Sequence, residues 1–402
     1  MYVKRSSWGG GGTRRIHFAW RGRETIPRLA NWLEENFCEV INVDAMTDQM
    51  IDLKQIIADE ILEKGPIPFS RYMDLCLYHP HLGYYQRQEP ATGPAGDFYT
   101  APHVHALFGR TIGSWIQQMA VKNGLQEVTV LELGPGNGQL SRDILDHWGD
   151  DQPPVSMILV EEAGPRRRDL EARFVNDPVR VVEPMELDGL DPFDGVVLAN
   201  EFFDALPLRV LTRTDGVPEE MFVDHDKEGF KETFLPMDTG GRVGEVLVNL
   251  PEGFRTEVSD LWQTWLFRIA RIIHRGQLLI VDYGNSTDGL IVPWRMAGSL
   301  RCYRRHQVDT DVFDSPGEKD ITAHVNFSLL QSWGEDAGFE FKSLASQSSF
   351  LIKGGILEML AQTMEALPEK EATGLWLTVK NLVHEDGMGE IFKVMVLEKS
   401  KA

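Results

Sequence analysis

The sequence predicts a doubly wound α/β fold, and two observations support this prediction. Short β-branched or aliphatic runs alternate with helical patterns through most of the chain, which is typical of parallel strands joined by right-handed crossovers. A run of glycines comes directly after the first of these strands, where sharp strand-to-helix turns need glycine. The predicted strands are 128–133, 157–160, 179–182, 195–199, 277–281, 339–343 and 392–397.

Residues 1–45 differ in composition from the rest of the chain. Six Lys and Arg residues precede the first acidic residue, Glu24, as in organelle transit peptides, but the apolar core of a secretory signal is missing. Met46 and Met50 come at a helical pattern. An alternative to a targeting segment is therefore a start codon that has been placed too far upstream. We expect residues 1–45 to be a flexible or spurious extension.

The next predicted elements form an N-terminal helix and covering segment, 46–125. Apolar residues at helical spacing predict a helix over 48–64, which ends before a Gly-Pro pair. The stretch 67–102 is dense in Pro, Gly and aromatic residues, so we expect a packed loop there rather than a long helix. A second helix is expected over 104–122.

Residues 126–402 form the predicted main domain, which carries two insertions. Alternating short runs at about 209–248 predict one or two inserted β-hairpins. The second insertion, at about 285–325, mixes Pro, Gly, Arg and aromatic residues without periodicity and predicts a long functional loop. Helices between the strands are expected over 139–148, 165–175 and 257–273.

Composition excludes several classes of function. The formal net charge of -21 repels phosphate backbones, so we expect no nucleic acid as a partner. No apolar run approaches the roughly 18 residues that would cross a bilayer, so we expect no membrane insertion. Cys38, Cys76 and Cys302 lack the spacing of a disulfide framework or a zinc site, and we expect no metal. The expected location is the cytoplasm, or the mitochondrial matrix if residues 1–45 are a transit peptide.

The glycine-rich turn carries the main chemical signal. Gly134, Gly136 and Gly138 open a helix and let a ligand approach the backbone where a Cβ would clash. The third glycine comes two residues after the second, unlike the G-x-G-x-x-G spacing of dinucleotide sites. With Glu132 before the turn, this spacing favours a methyltransferase cofactor, whose methionine ammonium the carboxylate would bind. Asn137, between the last two glycines, belongs to the same predicted cofactor site.

A second carboxylate supports this interpretation. Glu161 ends the next strand, one βαβ unit later, where a ribose-binding acid belongs. The alternative is a tight turn in any α/β protein, with Glu161 or Glu162 as a solvated charge. The agreement of two carboxylates with a glycine turn favours cofactor binding.

Eight unusual strings occur in one order between residues 67 and 398. They are FSRYMDLCLYHP (69–80), GYY (83–85), GDFYTAP (96–102), LELGPGNG (131–138), NEFFDALP (200–207), VDYG (281–284), DITAHVNF (320–327) and MGEIFKV (388–394). In these strings the chain resembles the MidA-type S-adenosylmethionine-dependent methyltransferases. That family includes the mitochondrial complex I assembly factor that acts as a protein arginine methyltransferase.

The resemblance implies a fold, a cofactor and further site residues. It implies a Rossmann-like class I methyltransferase sheet, mostly parallel and of seven strands, and S-adenosyl-L-methionine as the cofactor. It also implies that the GDFYTAP segment lies over the cofactor, which adds Asp97, Phe98 and Thr100 to the predicted cofactor site. The chain departs from the family pattern at His103, where a glutamate is usual, so the role of this position stays open.

Two carboxylates after the fourth predicted strand are the candidate catalytic residues. Methyl transfer from a sulfonium needs orientation and desolvation rather than a nucleophilic side chain. An arginine guanidinium, with a pKa above about 12, needs carboxylates to align it. Glu201 and Asp204, three apart at an expected helix start, would share one face at the ligand crevice. Asn200 and His324 are further substrate candidates.

Each candidate also has a structural interpretation. Asn200, Glu201 and Asp204 suit helix capping and the first turn of a helix. The GDFYTAP residues suit a tight turn, and His324 suits a core histidine whose hydrogen bonds are satisfied. Sequence reasoning leaves these alternatives open.

Three functions remain open from the sequence. The first, implied by the resemblance, is a protein arginine methyltransferase that acts on a respiratory complex I subunit or its bacterial counterpart. The second is an assembly or chaperone-like factor that binds the cofactor without essential catalysis. The third is a nicotinamide-dependent oxidoreductase, which the spacing of the glycines disfavours. The oligomeric state is open, with a homodimer as one alternative.

Overall fold

The structure is a computed structural model that describes residues 52–86, 101–304 and 307–400. The predicted extension, 1–45, therefore lies outside the described residues. Three residues of the predicted cofactor site also lie outside them, namely Asp97, Phe98 and Thr100. Within the described ranges, no helix is both long enough and apolar enough to cross a membrane.

The first described elements form a largely helical cap. They are α1 (Leu53–Lys64), β1 (Ile67–Pro68), α2 (Phe69–Tyr78), a 3₁₀ turn (Tyr84–Gln86), α3 (Ala101–Val104) and α4 (Leu107–Lys122). Helix α2 corrects the expectation of a loop over 67–102. Pro68 stands directly before this helix, where its missing N–H is tolerated, so the breakers flank the helix and do not interrupt it.

Parallel strands and short crossovers form the first half of the main sheet. Their elements are β2 (Val128–Leu133), α5 (Gln139–His147), β3 (Val155–Val160), α6 (Gly164–Arg173), β4 (Val179–Val182), a 3₁₀ turn (Pro184–Gly189) and β5 (Phe193–Asn200). β2 pairs in parallel with β3 and β5, and β3 pairs in parallel with β4. The carboxyl ends of these strands therefore meet at one edge, where ligands bind in open α/β sheets.

A small antiparallel sheet begins in the first expected insertion, 209–248, and extends beyond it to residue 258. Its parts are β6 (Arg209–Thr214), β7 (Val217–Asp226), β8 (Gly229–Pro236), α7 (Gly241–Val248) and β9 (Thr256–Val258). The turn between β6 and β7 has positive φ at both Asp215 (50°) and Gly216 (77°), which suits a two-residue hairpin. β1 pairs with β7, so the cap and the insertion share a sheet.

The second insertion also contains a small sheet. After α8 (Asp260–Ile272) and β10 (Ile273–Asn285) come α9 (Thr287–Leu290), a 3₁₀ turn (Pro293–Arg295), β11 (Arg301–Arg304), β12 (Gln307–Asp309) and β13 (Asp320–Thr322). β11 pairs antiparallel with β12 and β13, which corrects the expectation of a loop over 285–325. Strands of three or four residues are too short for alternation to reveal them.

The last elements complete the main sheet, which is mixed. They are β14 (Val325–Asn326), α10 (Phe327–Asp336), β15 (Glu340–Ser346), α11 (Gln347–Lys353), α12 (Ile356–Glu365), α13 (Glu369–Val383), α14 (Met388–Ile391) and β16 (Phe392–Lys399). The strand order is β15-β16-β10-β5-β2-β3-β4, and β14 pairs with β10 as an eighth strand.

The direction of the last strand corrects one detail of the predicted fold. β10 pairs in parallel with β5, but β16 pairs antiparallel with both β10 and β15. The predicted α/β fold is confirmed, whereas a mostly parallel sheet of seven strands is not. Alternation of strands and helices does not reveal the difference, because a strand that follows a helix can run in either direction.

Apolar cores cover both faces of the main sheet. Neighbouring residues of β2 belong to different cores, with Leu131 and Leu133 in one and Val128 and Val130 in the other. A third core packs α1 and α2 against the sheet of the first insertion. The cap is thus fixed to that insertion. The predicted domain boundaries, after residues 45 and 125, stay predictions.

Candidate functional site

A cleft opens at the carboxyl ends of β2, β3 and β5. Its volume is about 850 Å³, within the usual range for small-molecule sites. The cap contributes Tyr78 and Tyr85 to its walls, and α8 contributes Leu261 and Trp265. The predicted site residues that line it are Glu132, Gly134, Gly136, Asn137, Glu161, Asn200 and Glu201.

The three glycines after β2 have φ values that glycine adopts at low cost. These are 61° at Gly134, 56° at Gly136 and 78° at Gly138. A Cβ at Gly138 would lie 2.6 Å from the Phe174 ring, so the chain itself excludes a side chain there. A Cβ at Gly136 would meet no described atom within 4 Å. Because Gly136 lines the cleft, the space beside its backbone is available to a ligand.

Three side chains form hydrogen bonds at this glycine turn. Asn137 Oδ1 accepts a hydrogen bond from the Gln139 N–H at 3.0 Å. Asn137 Nδ2 lies 2.9 Å from Nε2 of His103, which also lines the cleft. Arg173 donates to the Asn137 carbonyl oxygen at 2.6 Å and to Gln139 Oε1 at 2.9 Å. His103, at the position where the chain departs from the family pattern, thus contacts the glycine turn.

Glu132 is buried at the carboxyl end of β2, with only 3% of its surface exposed. Ser141 Oγ, in the first turn of α5, donates to Glu132 Oε2. Burial raises the pKa of Glu132 to about 7, because the carboxylate loses hydration there. A cationic ligand group beside it would favour the charged form. No sequence pattern points to Ser141, whose partner lies on the preceding strand.

Glu161 directly follows β3 and is also buried. Its Oε1 accepts from the Ala163 N–H at 2.8 Å. Burial raises the pKa of Glu161, and the charge of Arg166 opposes this rise. The Arg166 guanidinium lies over the ring of Tyr85 with 5.2 Å between its carbon and the ring centroid. Its buried Nη2 has no hydrogen-bond partner in the described part of the chain, so this atom is available to a ligand.

The turn after β5 does not begin a helix. Glu201 has a φ of 50°, which is outside the range of right-handed helices. The Glu201 N–H donates to the Val281 carbonyl oxygen at 2.8 Å. Asp282 Oδ2 accepts from the N–H groups of Phe203 and Asp204 at 3.0 and 3.3 Å. The expected helix start is wrong because β10 supplies these partners, so neither a shared helical face nor helix capping applies.

Glu201 lines the cleft, and its carboxyl is buried. Asn200 Nδ2 donates to its Oε1 over a long distance of 3.4 Å. Burial raises the pKa of Glu201 to about 8, and the nearby charge of Asp204 adds to the rise. Asn200 Oδ1 is buried and has no partner among the residues that the structure describes. A cationic ligand group in the cleft would favour the ionised form of the Glu201 carboxyl, and it could also donate a hydrogen bond to Asn200 Oδ1.

Asp204 is not among the described residues that line the cleft. Its Oδ2 accepts from Thr322 Oγ1 at 2.8 Å, and the Tyr283 hydroxyl contacts the same Thr322 oxygen. Its Oδ1 is buried and has no partner within the described ranges. Burial raises the pKa of Asp204 and of Asp282. Asp204 therefore affects the cleft through its charge on Glu201.

His324 is likewise absent from the described lining of the cleft. Its Nδ1 lies 2.8 Å from Arg295 Nη1, and its ring packs edge-on against Tyr283 at 5.5 Å between centroids. Burial lowers the pKa of His324 to about 4, and the Arg295 charge contributes. A guanidinium only donates, so the neutral ring accepts at Nδ1. The structural interpretation of His324 fits these contacts.

Aromatic side chains that are not among the predicted site residues also line the cleft. Phe202 packs edge-on against Trp265 with 5.0 Å between ring centroids. The Tyr78 hydroxyl donates to the Ala205 carbonyl oxygen at 3.0 Å, and the Tyr85 hydroxyl contacts Asp320 at 2.7 Å. For Tyr78, Tyr85 and Phe202 the only sequence signal is their place in the strings that carry the family resemblance, and Trp265 lies outside these strings.

The comparison with protein families gives a match that includes the turns after β2, β3 and β5. The model of a family described as "Putative S-adenosyl-L-methionine-dependent methyltransferase" matches residues 109–344. The chain is 28% identical over 369 residues to the mitochondrial protein arginine methyltransferase NDUFAF7 of Danio rerio, covering 84% of each protein. It is 27% identical over 380 residues to the mitochondrial NDUFAF7 homolog of Caenorhabditis elegans, covering 86% of each.

Two solved structures from Burkholderia thailandensis are similar along most of the chain. One, described as a "likely methyl transferase" and bound to S-adenosyl-homocysteine, is 29% identical with a TM-score of 0.78, covering 87% of this chain and 92% of that one. The other, a native structure, is 30% identical with a TM-score of 0.75 and the same coverage. These similarities confirm the resemblance found in the sequence and a class I methyltransferase fold.

Proposed function

Because the chain belongs to the family of S-adenosyl-L-methionine-dependent methyltransferases, we propose that its cleft brings this cofactor together with an arginine side chain of a protein. One observation carries the proposal. The same cleft joins a backbone cradle at Gly136 to the buried carboxyl of Glu201. The first feature suits the cofactor, and the second suits a cationic acceptor.

The described residues offer three contacts to the cofactor. The glycine turn offers a backbone surface without side chains, Glu132 offers a carboxylate for the methionine ammonium, and Glu161 offers one for the ribose hydroxyls. Bound S-adenosylmethionine supplies an electrophilic methyl group, so the protein needs no covalent nucleophile. Asp97, Phe98 and Thr100 stay proposed contacts on the resemblance alone.

Arginine is the acceptor that best fits the chemistry of Glu201. A guanidinium is always cationic in proteins, and a carboxylate binds it through charge-assisted hydrogen bonds. At pH 7, a pKa of about 8 leaves most Glu201 carboxyls protonated when no cation is near. An entering guanidinium would favour ionisation, and the resulting carboxylate would align the acceptor. The curated relatives are named protein arginine methyltransferases, which supports the same acceptor.

The roles of the neighbouring candidates follow from their contacts. Asn200 Oδ1 would accept a second hydrogen bond from the acceptor, because it is buried and otherwise unpaired within the described residues. Asp282 would act on Glu201 through the hydrogen bonds that hold the turn, and Asp204 would act on it through its charge. His324 carries no role in this proposal.

The identity of the protein that accepts the methyl group rests on the resemblance alone. We propose a respiratory complex I subunit or its bacterial counterpart. The relatives above are named mitochondrial, and the comparisons do not support the cytoplasmic expectation. If residues 1–45 are a transit peptide, the full chain fused to a fluorescent protein would reach mitochondria, and a chain without these residues would not.

The test of the proposed function is methyl transfer with mass-spectrometric identification of the acceptor. The purified chain is incubated with methyl-labelled S-adenosylmethionine and a complex I-enriched fraction from cells that lack this protein. Label in methylarginine, lost in Glu201→Gln, would support the proposal. Label in another residue would overturn the acceptor, and failure of the folded chain to bind the cofactor would overturn the whole.

A cell-based assay separates catalysis from an assembly role. Cells that lack the protein are supplied with the wild type or with Glu201→Gln, and complex I content is measured. Restoration by Glu201→Gln without methyl transfer would favour the assembly factor. Restoration by the wild type alone would favour the enzyme.

A further inference from the structure

His103 reaches the glycine turn from the cap. It belongs to α3 and contacts Asn137, which lies 34 residues later in the turn after β2. Its Nε2 is 2.9 Å from Asn137 Nδ2, and the histidine lines the cleft. The contact therefore joins two separate elements at the place where the cofactor is proposed to bind.

The surrounding hydrogen bonds determine which atom donates. The Gln139 N–H only donates, so its 3.0 Å contact identifies the Asn137 atom opposite it as the oxygen. The Asn137 amide nitrogen therefore faces His103 and donates to it. His103 Nε2 must then accept, which places the ring proton on Nδ1 and leaves the ring neutral. Burial, which lowers the pKa of His103, favours the same neutral form.

The turn needs such a contact because glycines surround Asn137. Gly136 and Gly138 stand on either side of it, and glycine has more backbone freedom than any other residue. Asn137 carries the side chain between them, and its amide is bound at both ends, by Gln139 and by His103. Loss of one end would leave the segment beside the cofactor with more conformations.

We propose that His103 is a positioning residue for the cofactor, because its Nε2 holds the Asn137 amide and so fixes the turn that presents Gly136. The inference rests on the proposed function in one respect, the binding of the cofactor at this turn. His103 acts through Asn137 and does not need to touch the reacting atoms. Its removal should therefore weaken cofactor binding more than it slows methyl transfer.

Calorimetric titration with S-adenosylmethionine tests this inference in three variants. His103→Leu removes the acceptor and should raise the Kd roughly 3- to 10-fold, the effect of one hydrogen bond, with a smaller change in kcat at saturating cofactor. His103→Gln keeps an acceptor oxygen at a similar reach and should restore the wild-type Kd. His105→Asn is the matched control, since its ring accepts from the Leu107 N–H at 3.2 Å and does not contact the turn.

A double-mutant comparison with Asn137→Ala tests whether His103 acts through Asn137. It compares the effect of His103→Leu in two backgrounds and so does not depend on the folding of any one variant. In Asn137→Ala the partner is already gone, so adding His103→Leu should change the Kd by less than about 2-fold. Additive effects, or a Kd for His103→Gln as high as that for His103→Leu, would overturn the inference and leave the proposed function standing. A folded wild type that does not bind S-adenosylmethionine would overturn both.

Discussion

The turns after β2 and β5 line the same cleft, but they are built in different ways. The turn after β2 is made of glycines at positive φ, and its shape is a property of a few consecutive residues. The turn after β5 places a non-glycine residue, Glu201, at a φ of 50°. Contacts from another strand, at Val281 and Asp282, hold it there. The glycine turn, which we call the cofactor end of the cleft, is thus formed by local backbone. The turn at Glu201, which we call the acceptor end, is held by residues that are distant in the sequence.

The conformation of Glu201 suggests which end carries the chemistry. A left-handed conformation costs a non-glycine residue about 1–2 kcal/mol, and such strain persists when surrounding contacts enforce it. Glycine would avoid this cost at position 201, but it would also remove the carboxyl. The strain is therefore consistent with a functional requirement for that side chain in the cleft.

The largest expected effect comes from filling the space beside the glycine turn. Gly136→Val would place a branched side chain where the cofactor is proposed to bind, so the Kd for S-adenosylmethionine should rise at least about 100-fold, or about 2.7 kcal/mol. Calorimetric titration measures the change, with a nicotinamide dinucleotide as the control ligand.

Gly124→Val is the matched control for this change. Gly124 has a φ of 61°, and a Cβ there also meets no described atom within 4 Å. Both variants should lose about 1–2 kcal/mol of unfolding free energy in urea, the cost of a side chain in the left-handed region. Equal losses of cofactor affinity in both would contradict a binding site at Gly136.

The second effect separates the acceptor end from the cofactor end. Glu201→Gln should lower kcat about 100-fold, the order expected when a preorganised electrostatic partner is lost, and leave the cofactor Kd within about 2-fold of the wild type. Glu162→Gln, at an exposed acid of the same cleft, should leave kcat nearly unchanged. A large loss of cofactor affinity in Glu201→Gln would mean that the two ends are not separate.

The pH dependence of methyl transfer by the wild type and by Glu201→Gln follows from the raised pKa of Glu201. Since burial raises the pKa of Glu201 to about 8, the carboxylate that aligns a guanidinium becomes more abundant as pH rises through that value. The wild-type kcat/KM should therefore rise with pH up to about 8 and then level. Residual activity of Glu201→Gln should lack this dependence.

A smaller effect of pH is expected at the cofactor end. Burial raises the pKa of Glu132 to about 7, so the carboxyl becomes neutral as pH falls below that value and loses its attraction for an ammonium. The Kd for S-adenosylmethionine should rise by at most about 10-fold per pH unit below 7. Glu132→Gln should show a flat profile, and Glu127→Gln, at an exposed acid before β2, should follow the wild type.

The smallest effect tests the distant contacts that hold the acceptor end. Thr322→Val removes the hydroxyl that donates to Asp204 Oδ2 and should lower the unfolding free energy by about 1–3 kcal/mol. The acceptor KM should rise a few-fold, whereas the cofactor Kd should stay unchanged. Thr212→Val, which loses a buried bond to the Phe254 carbonyl oxygen, should cost about 1 kcal/mol without changing either constant. A shift in cofactor affinity in Thr322→Val would contradict the separation.

The difference between the two turns also explains how far sequence reasoning reached. Glycine spacing and a strand-ending acid are local patterns. They predicted five residues of the cofactor site that line the cleft, namely Glu132, Gly134, Gly136, Asn137 and Glu161. The partners of Asp204 lie 78 and 118 residues away along the chain, at Asp282 and Thr322, and no local pattern reports such contacts. This is why a helix start was expected where the structure has a strained turn.

The fold shows the same limit. The long buried strands of the main sheet were predicted because their apolar runs are visible, as for β2 and β5. Helix α2 was missed because its own ten residues stand between Pro68 and a Pro-Gly-rich stretch, which dominated the local composition. The reversed direction of β16 was missed because strand direction depends on pairing with β10 and β15.

Strand β16 has a consequence for how the protein is made. It lies between β10 and β15 in the sheet, yet it follows both along the chain. During synthesis on the ribosome, those two strands each keep an unpaired edge until residues 392–399 have left the exit tunnel. Unpaired edges recruit other strands, so the nascent chain is exposed to aggregation at this stage. A premature stop codon shortly before residue 392 would leave a chain without the strand that joins β10 to β15. Chaperones and proteases act on such incompletely folded chains.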